Sequence, residues 1–213
     1  MKILIVGHTA HLEEARQKFG DAHNYTLTES HVRMEKCDVV FDFTIENDPS
    51  QIKQYEDLSL IVFLNVSTIS LAQLSQVKTQ STLFGFCGMP SFLNRELLEV
   101  SVRNKNDLMK LKEVCLGLDT NYKVVADRVG LVTPRVICMI INEAYYTFQE
   151  GTATRDDIDL AMKLGTNYPF GPFEWAQRIG VKNVCKLLMA VYNDTQDQRY
   201  RVSSLLMDES RDV

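Results

Sequence analysis

Short β-rich apolar runs alternate with helical stretches over residues 1–126, and from residue 127 the pattern turns helical throughout. Residues 2–6 read as a strand, Gly7 opens a turn, and Leu12, Ala15 and Phe19 follow at helical spacing. The runs at 38–44 and 59–65 suit buried parallel strands, with Pro49 placed to start a helix between them. Residues 70–77 read as a short helix, 83–86 and 97–102 as strands, 106–118 as an amphipathic helix and 122–126 as a last strand. This alternation predicts an α/β fold with a doubly wound, mostly parallel sheet.

In the helical half, Pro134 lies near a helix start and residues 136–150 run to Gly151, a good residue to end a helix. Thr154-Arg155-Asp156-Asp157 resembles a capping box, and Ile158, Ala161 and Met162 give the buried face of a second helix that Gly165 is expected to end. Pro172 starts the next helix, Gly180 closes it, and Val184, Leu187, Leu188 and Val191 stripe a long last one. The polar tail from 194 is expected to fray beyond Leu206.

Composition excludes several function classes. The net charge is −5, so no basic excess argues for nucleic acid or an anionic membrane. The longest apolar runs, 60–64 and 136–141, fall far short of the roughly twenty residues of a membrane span. The N-terminus turns charged too early for a signal peptide. Five unevenly spaced cysteines without a CxxC pair suit reduced thiols, so a cytoplasmic location is expected.

A strand-turn-helix at the N-terminus is the usual seat of a dinucleotide pyrophosphate. That site needs G-x-G-x-x-G, and the chain offers Gly7-His8-Thr9-Ala10-His11-Leu12, with only the first glycine. Thr9 puts a Cβ where backbone should meet phosphate, and Leu12 a bulky group where helix should meet strand. Glu29 follows at a distance suited to holding a ribose. The bland alternative is a turn with no cofactor. His8 and His11 have the spacing of a metal pair, but no third ligand suggests itself. Cys87, in Gly85-Phe86-Cys87-Gly88 after a strand, is either an apolar filler or a nucleophile.

Gly130-Leu131-Val132, Ile141-Asn142-Glu143-Ala144, Glu150-Gly151, Asp156-Asp157-Ile158-Asp159-Leu160-Ala161 and Gly171-Pro172-Phe173-Glu174-Trp175-Ala176 occur in that order. The series strongly resembles the C-terminal domain of 3-hydroxyacyl-CoA dehydrogenases. Asp38-Val39-Val40 with Ile45-Glu46-Asn47, and Asn65-Val66-Ser67-Thr68-Ile69-Ser70, resemble parts of that family's nucleotide domain more faintly. So do Gly85-Phe86-Cys87 and Leu98-Glu99-Val100. The resemblance implies a shortened Rossmann-like domain over 1–126 and an all-helical domain over 127–213 that forms a homodimer. It also implies NAD as cofactor and 3-hydroxyacyl-CoA as substrate. Ser67 matches the family's substrate-contacting serine, Glu99 its glutamate, and Glu46 and Asn65 its cofactor-side positions, beside Gly7 and Glu29. Cys87 stands at the family's histidine and Pro134 at its asparagine.

Those two replacements bear on activity. A positioned general base contributes about 10²–10⁴ in rate, and a thiol beside a carboxylate is a poor substitute. Proline offers no polarising side chain. The expected function is therefore a family member with impaired or lost oxidation, acting as a dimeric binding protein for an acyl-CoA-related ligand or as partner to an active paralogue. An active dehydrogenase using Ser67, Glu99 and Glu46 is the alternative, and an unrelated thiol enzyme using Cys87 a third.

Overall fold

The computed structural model describes residues 1–29, 37–74 and 79–212. These form two compact units, Met1–Leu131 and Val132–Val213. In the first, the strands are β1 (Lys2–Val6), β2 (Asn24–Thr28), β3 (Val39–Asp42), β4 (Ile61–Asn65), β5 (Thr82–Phe86), β6 (Leu97–Val102) and β7 (Asn121–Val125). They make a seven-stranded sheet in the order β2-β1-β3-β4-β5-β6-β7. All neighbours are parallel except β5 and β6, which run antiparallel. The doubly wound, mostly parallel sheet expected from the sequence is present.

Burial follows position in the sheet. Every residue of β3 and β5 is buried, whereas the outer strands β2 and β7 carry exposed polar residues. A central parallel strand is covered on both faces, so it reads as a continuous apolar run. Aromatic rings fill the middle: Phe41 stacks on Phe63 at 4.7 Å and meets Phe86 edge-on at 5.5 Å. Helices α1 (Thr9–Phe19), α2 (Leu71–Leu74) and α3 (Leu108–Gly117) belong to this unit. Of the helix expected over 70–77, residues 75–77 lie outside the described residues. The segment after Pro49 is a 3₁₀ helix, Pro49–Tyr55.

Residues 127–131 belong to the first unit, a few residues past the expected boundary at 126. The reason is hydrogen bonding. Asp127 accepts the backbone N–H groups of Leu71 and Ala72, both at 2.9 Å, at the start of α2. Gly130 N–H donates to the Ser67 carbonyl at 3.0 Å.

The second unit contains α4 (Thr133–Gln149), α5 (Arg155–Thr166), α6 (Pro172–Ile179), α7 (Val181–Thr195) and α8 (Ser204–Glu209). Two expectations fail here. Gly165 does not end α5, which continues to Thr166 and closes on Asn167 at φ 56°. Asparagine tolerates that left-handed conformation better than most residues. The tail does not fray beyond Leu206. Ser203 caps α8 by accepting Leu206 N–H at 3.2 Å, and Leu206 is fully buried. Buried Asn142 on α4 holds the tail from two sides, donating to the Arg201 carbonyl at 2.8 Å and accepting Ser203 N–H at 2.9 Å. Glu209 then bonds Tyr145 and Arg155.

Leu206→Ala should therefore destabilise the protein by about 2–5 kcal/mol, the usual cost of truncating a buried leucine. Urea unfolding measures it, and a loss below about 1 kcal/mol would show the tail to be peripheral.

Candidate functional site

Strand order reverses direction between β1 and β3, the topological switch point of an open α/β sheet. Gly7, Glu29, Glu46, Asn65, Ser67 and Cys87 all lie at or just beyond the carboxyl ends of β1 to β5. Two clusters form there.

The first cluster is built on Asn65, the last residue of β4. Its Oδ1 accepts the backbone N–H of Gly88 at 2.8 Å and of Ser67 at 3.2 Å. Backbone N–H groups only donate, so the amide orientation is settled by these contacts. Its Nδ2 donates to the Phe43 carbonyl at 3.3 Å. Asn65 thus ties the ends of β3, β4 and β5 together. Gly88 must come close to do this: a Cβ there would lie 2.7 Å from Asn65 Cγ.

Ser67 is fully buried, with Oγ 2.5 Å from Asn65 Oδ1 and 3.4 Å from Cys87 Sγ. A hydroxyl carries a single proton, and the shorter contact engages it with the amide oxygen. Glu46 Oε2 accepts Thr68 N–H at 3.2 Å and Thr68 Oγ at 3.1 Å, fastening the loop after β3 to the loop after β4. Glu99 is half-buried on β6. Its charge is felt at Cys87 and at Arg95. The structure therefore brings Asn65, Ser67 and Cys87 into direct contact, with the charges of Glu46 and Glu99 acting on the thiol.

Cys87 is buried, and burial, opposed by Ser67 and Met89 N–H and joined by the charges of Glu46 and Glu99, pushes its thiol up to about 12. It is a neutral thiol throughout the physiological range, neither a base nor a nucleophile. Arg95 is close enough to feel a Cys87 thiolate, but burial outweighs that charge, so the thiol is not activated as the nucleophile of a thiol enzyme would be.

The second cluster lies on the β1–α1 turn. Gly7 N–H donates to the Thr28 carbonyl at 2.8 Å, so the first residue of the turn is tied to β2. His8 Nδ1 lies 3.7 Å from Glu29 Oε1, an exposed pair of little energetic weight. His8 N–H donates to His11 Nδ1 at 3.1 Å, and the His11 ring stacks on Phe43 at 4.2 Å, nearly parallel at 6°. The ring lies so close over the turn that a Cβ on Gly7 would come within 2.3 Å of His11 Nδ1. Burial, and then the neighbouring His8, lower the His11 pKa, which keeps the ring neutral and able to accept. The sequence signal for this contact is the three-residue spacing of an N-cap and its reciprocating side chain, here with histidine in place of glutamate or glutamine.

This turn does not fit a dinucleotide pyrophosphate. A phosphate needs the free N–H groups of the helix start, and the N–H of His8 is already bonded within the chain. Thr9 and Leu12 add side chains where the motif needs none. Glu29 does stand at the end of β2, where a ribose would be held.

Of the other two histidines, His23 contacts the N-terminal amine at 3.1 Å, and His31 lies outside the described residues. Pro134 sits in the first turn of α4, in the second unit.

A Rossmann-like sheet followed by a helical unit defines the class of protein. Residues 130–211 match the family model for the 3-hydroxyacyl-CoA dehydrogenase C-terminal domain. Over 82 residues the chain is 43% identical to 3-hydroxyadipyl-CoA dehydrogenase of Escherichia coli K12, covering 38% of this chain and 17% of that protein. Over 181 residues it is 29% identical to 3-hydroxybutyryl-CoA dehydrogenase of Bradyrhizobium diazoefficiens, covering 80% of this chain and 62% of that one. The chain thus spans less than two thirds of the length of these curated relatives. In fold it is similar to M. tuberculosis FadB2 (TM-score 0.79, 14% identity, 99% of this chain and 93% of that one). It is likewise similar to (S)-3-hydroxybutyryl-CoA dehydrogenase PaaH1 of Ralstonia eutropha (TM-score 0.75, 19% identity, 97% and 92%). The helical unit is thus similar to the C-terminal domain of 3-hydroxyacyl-CoA dehydrogenases, and the rest of the chain shows a weaker likeness to the same enzymes.

The perturbed thiol has a consequence for stability. Unfolded, Cys87 loses its proton near pH 9, whereas folded it keeps it to about 12. Above pH 9 the unfolded state binds fewer protons, so stability falls as pH rises through that window. Cys87→Ala should make the decline between pH 9 and 10.5 shallower in chemical unfolding; Cys115, also raised to about 12, keeps its own share. An unchanged slope would show that the thiol is not buried as described.

Proposed function

We propose that this protein is a divergent member of its family in which NAD-dependent oxidation of 3-hydroxyacyl-CoA is impaired or lost, and which acts as a dimeric binding or partner protein for an acyl-CoA-related ligand. The observation that carries this reading is Cys87, buried and held protonated beside Ser67 at the place the resemblance gives to a catalytic histidine. A thiol ionising near 12 cannot take a proton from an alcohol at neutral pH. The Ser67 hydroxyl is fully buried and its proton is engaged by Asn65, which supports the same reading. The acyl-CoA class of ligand is taken from the substrates in the names of its relatives, 3-hydroxyadipyl-CoA and 3-hydroxybutyryl-CoA dehydrogenase.

The assay is NADH consumption with acetoacetyl-CoA by the pure protein, beside a thermal melt with the same ligands. No oxidation above the enzyme-free rate is expected, together with a rise in Tm for the acyl-CoA, since a ligand of the native state must stabilise it. Rapid NADH oxidation would establish the active dehydrogenase instead, and an unmoved Tm would remove the binding role.

Self-association of the helical unit is part of this proposal. An apolar groove of about 400 Å³ runs between α4 and α5, lined by Ile140, Ala144, Ile158, Ala161, Met162 and Pro172. Large apolar side chains stand exposed in the same unit, Leu164 at 78% and Val136 at 53% among them. A second copy is the occupant that the family resemblance supplies. Leu164→Glu should shift the protein from dimer toward monomer in light scattering coupled to size exclusion; a monomeric wild type refutes the dimer outright.

A further inference from the structure

We propose that the His11 imidazole has taken the place of a dinucleotide phosphate on the β1–α1 turn, so that the first unit does not bind NAD or NADH there. This goes beyond the loss of a base, since a chain can lose its base and keep its cofactor.

The first N–H groups of a helix have no partner within it. In a dinucleotide site, glycines keep side chains away so that phosphate oxygens can accept them. Here the chain supplies its own acceptor: His11 Nδ1 takes the His8 N–H at 3.1 Å. A backbone N–H can only donate, so Nδ1 carries no proton and the ring is the Nε2–H tautomer.

Two further contacts hold the ring in place. One face lies flat on Phe43, which follows β3, with centroids 4.2 Å apart, and His8 stacks at 5.7 Å. Against Gly7 the space is too small even for a methyl group, with His11 Nδ1 at 2.3 Å from the Cβ position. The only glycine retained from the motif thus makes room for this chain's own side chain. An incoming phosphate would have to displace the ring, break the His8 contact and leave the Phe43 face uncovered.

The test uses the full ¹⁵N-labelled chain and reads the amide signals of His8, Thr9 and Ala10, not turnover. A failure here therefore leaves the proposed function standing on its own evidence. NADH and, separately, inorganic pyrophosphate are titrated into wild type, His11→Gln and His11→Ala. Glutamine keeps an acceptor suited to this capping position, whereas alanine removes it. Wild type and His11→Gln should stay silent at millimolar ligand, while folded His11→Ala should respond to pyrophosphate with an affinity at least about tenfold tighter, a difference of about 1.4 kcal/mol.

Wild-type amides that move with sub-millimolar NADH would overturn the proposal. So would a folded His11→Ala chain as silent as wild type. Should that variant not fold, the wild-type side-chain ¹⁵N spectrum still decides: an unprotonated, hydrogen-bonded Nδ1 supports the assignment, and a protonated one defeats it.

Discussion

A backbone N–H shut away from water must find an acceptor, and leaving it without one costs more than most contacts return. In this protein, side chains carry much of that duty at the ends of strands and helices. Asn65 serves Ser67 and Gly88. Asp127 serves the start of α2, and Glu14 on α1 accepts the N–H groups of Leu93 and Asn94. In the helical unit, Asp159 accepts Phe173 and Glu174 N–H at the start of α6. His11 does the same for the β1–α1 turn.

That pattern links the fold to the state of its site. Open parallel sheets gather their loops at the carboxyl ends of the strands, where ligands of such folds bind. Several of the polar groups gathered there in this chain bond to one another rather than outward. Asn65 and Ser67 bond each other, Glu46 bonds Thr68, and His11 bonds His8. Burial keeps the Cys87 thiol neutral at the centre. A catalytic site needs groups aimed at a reacting atom and supported from behind; here the supporting contacts surround a buried, neutral thiol.

Much of the first unit was legible because burial leaves a composition signal. Strands covered on both faces must be apolar throughout, so β1, β3, β4 and β5 could be read as runs. The ends of elements were less legible. Asn167 rather than Gly165 closes α5, because side-chain tolerance of a left-handed φ depends on where the chain must turn. The tail looked polar enough to fray, yet Leu206 and Glu209 find partners on distant parts of the same unit. The domain boundary moved by a few residues because Asp127 points its carboxylate at a helix 55 and 56 residues earlier in the chain.

The sequence by itself determined the alternation of strand and helix, the helical second half, the likeness of that half to a known domain, and which side-chain types stand at the strand ends. Those follow from periodicity and residue identity, which are local and survive without a structure. Tertiary structure alone decided that the Cys87 thiol is buried beside Ser67 and that the His11 ring lies between Phe43 and the β1–α1 turn. Both depend on segments far apart in sequence meeting at one edge of the sheet. Only there do burial and competing hydrogen bonds set whether a side chain faces a ligand or its own backbone.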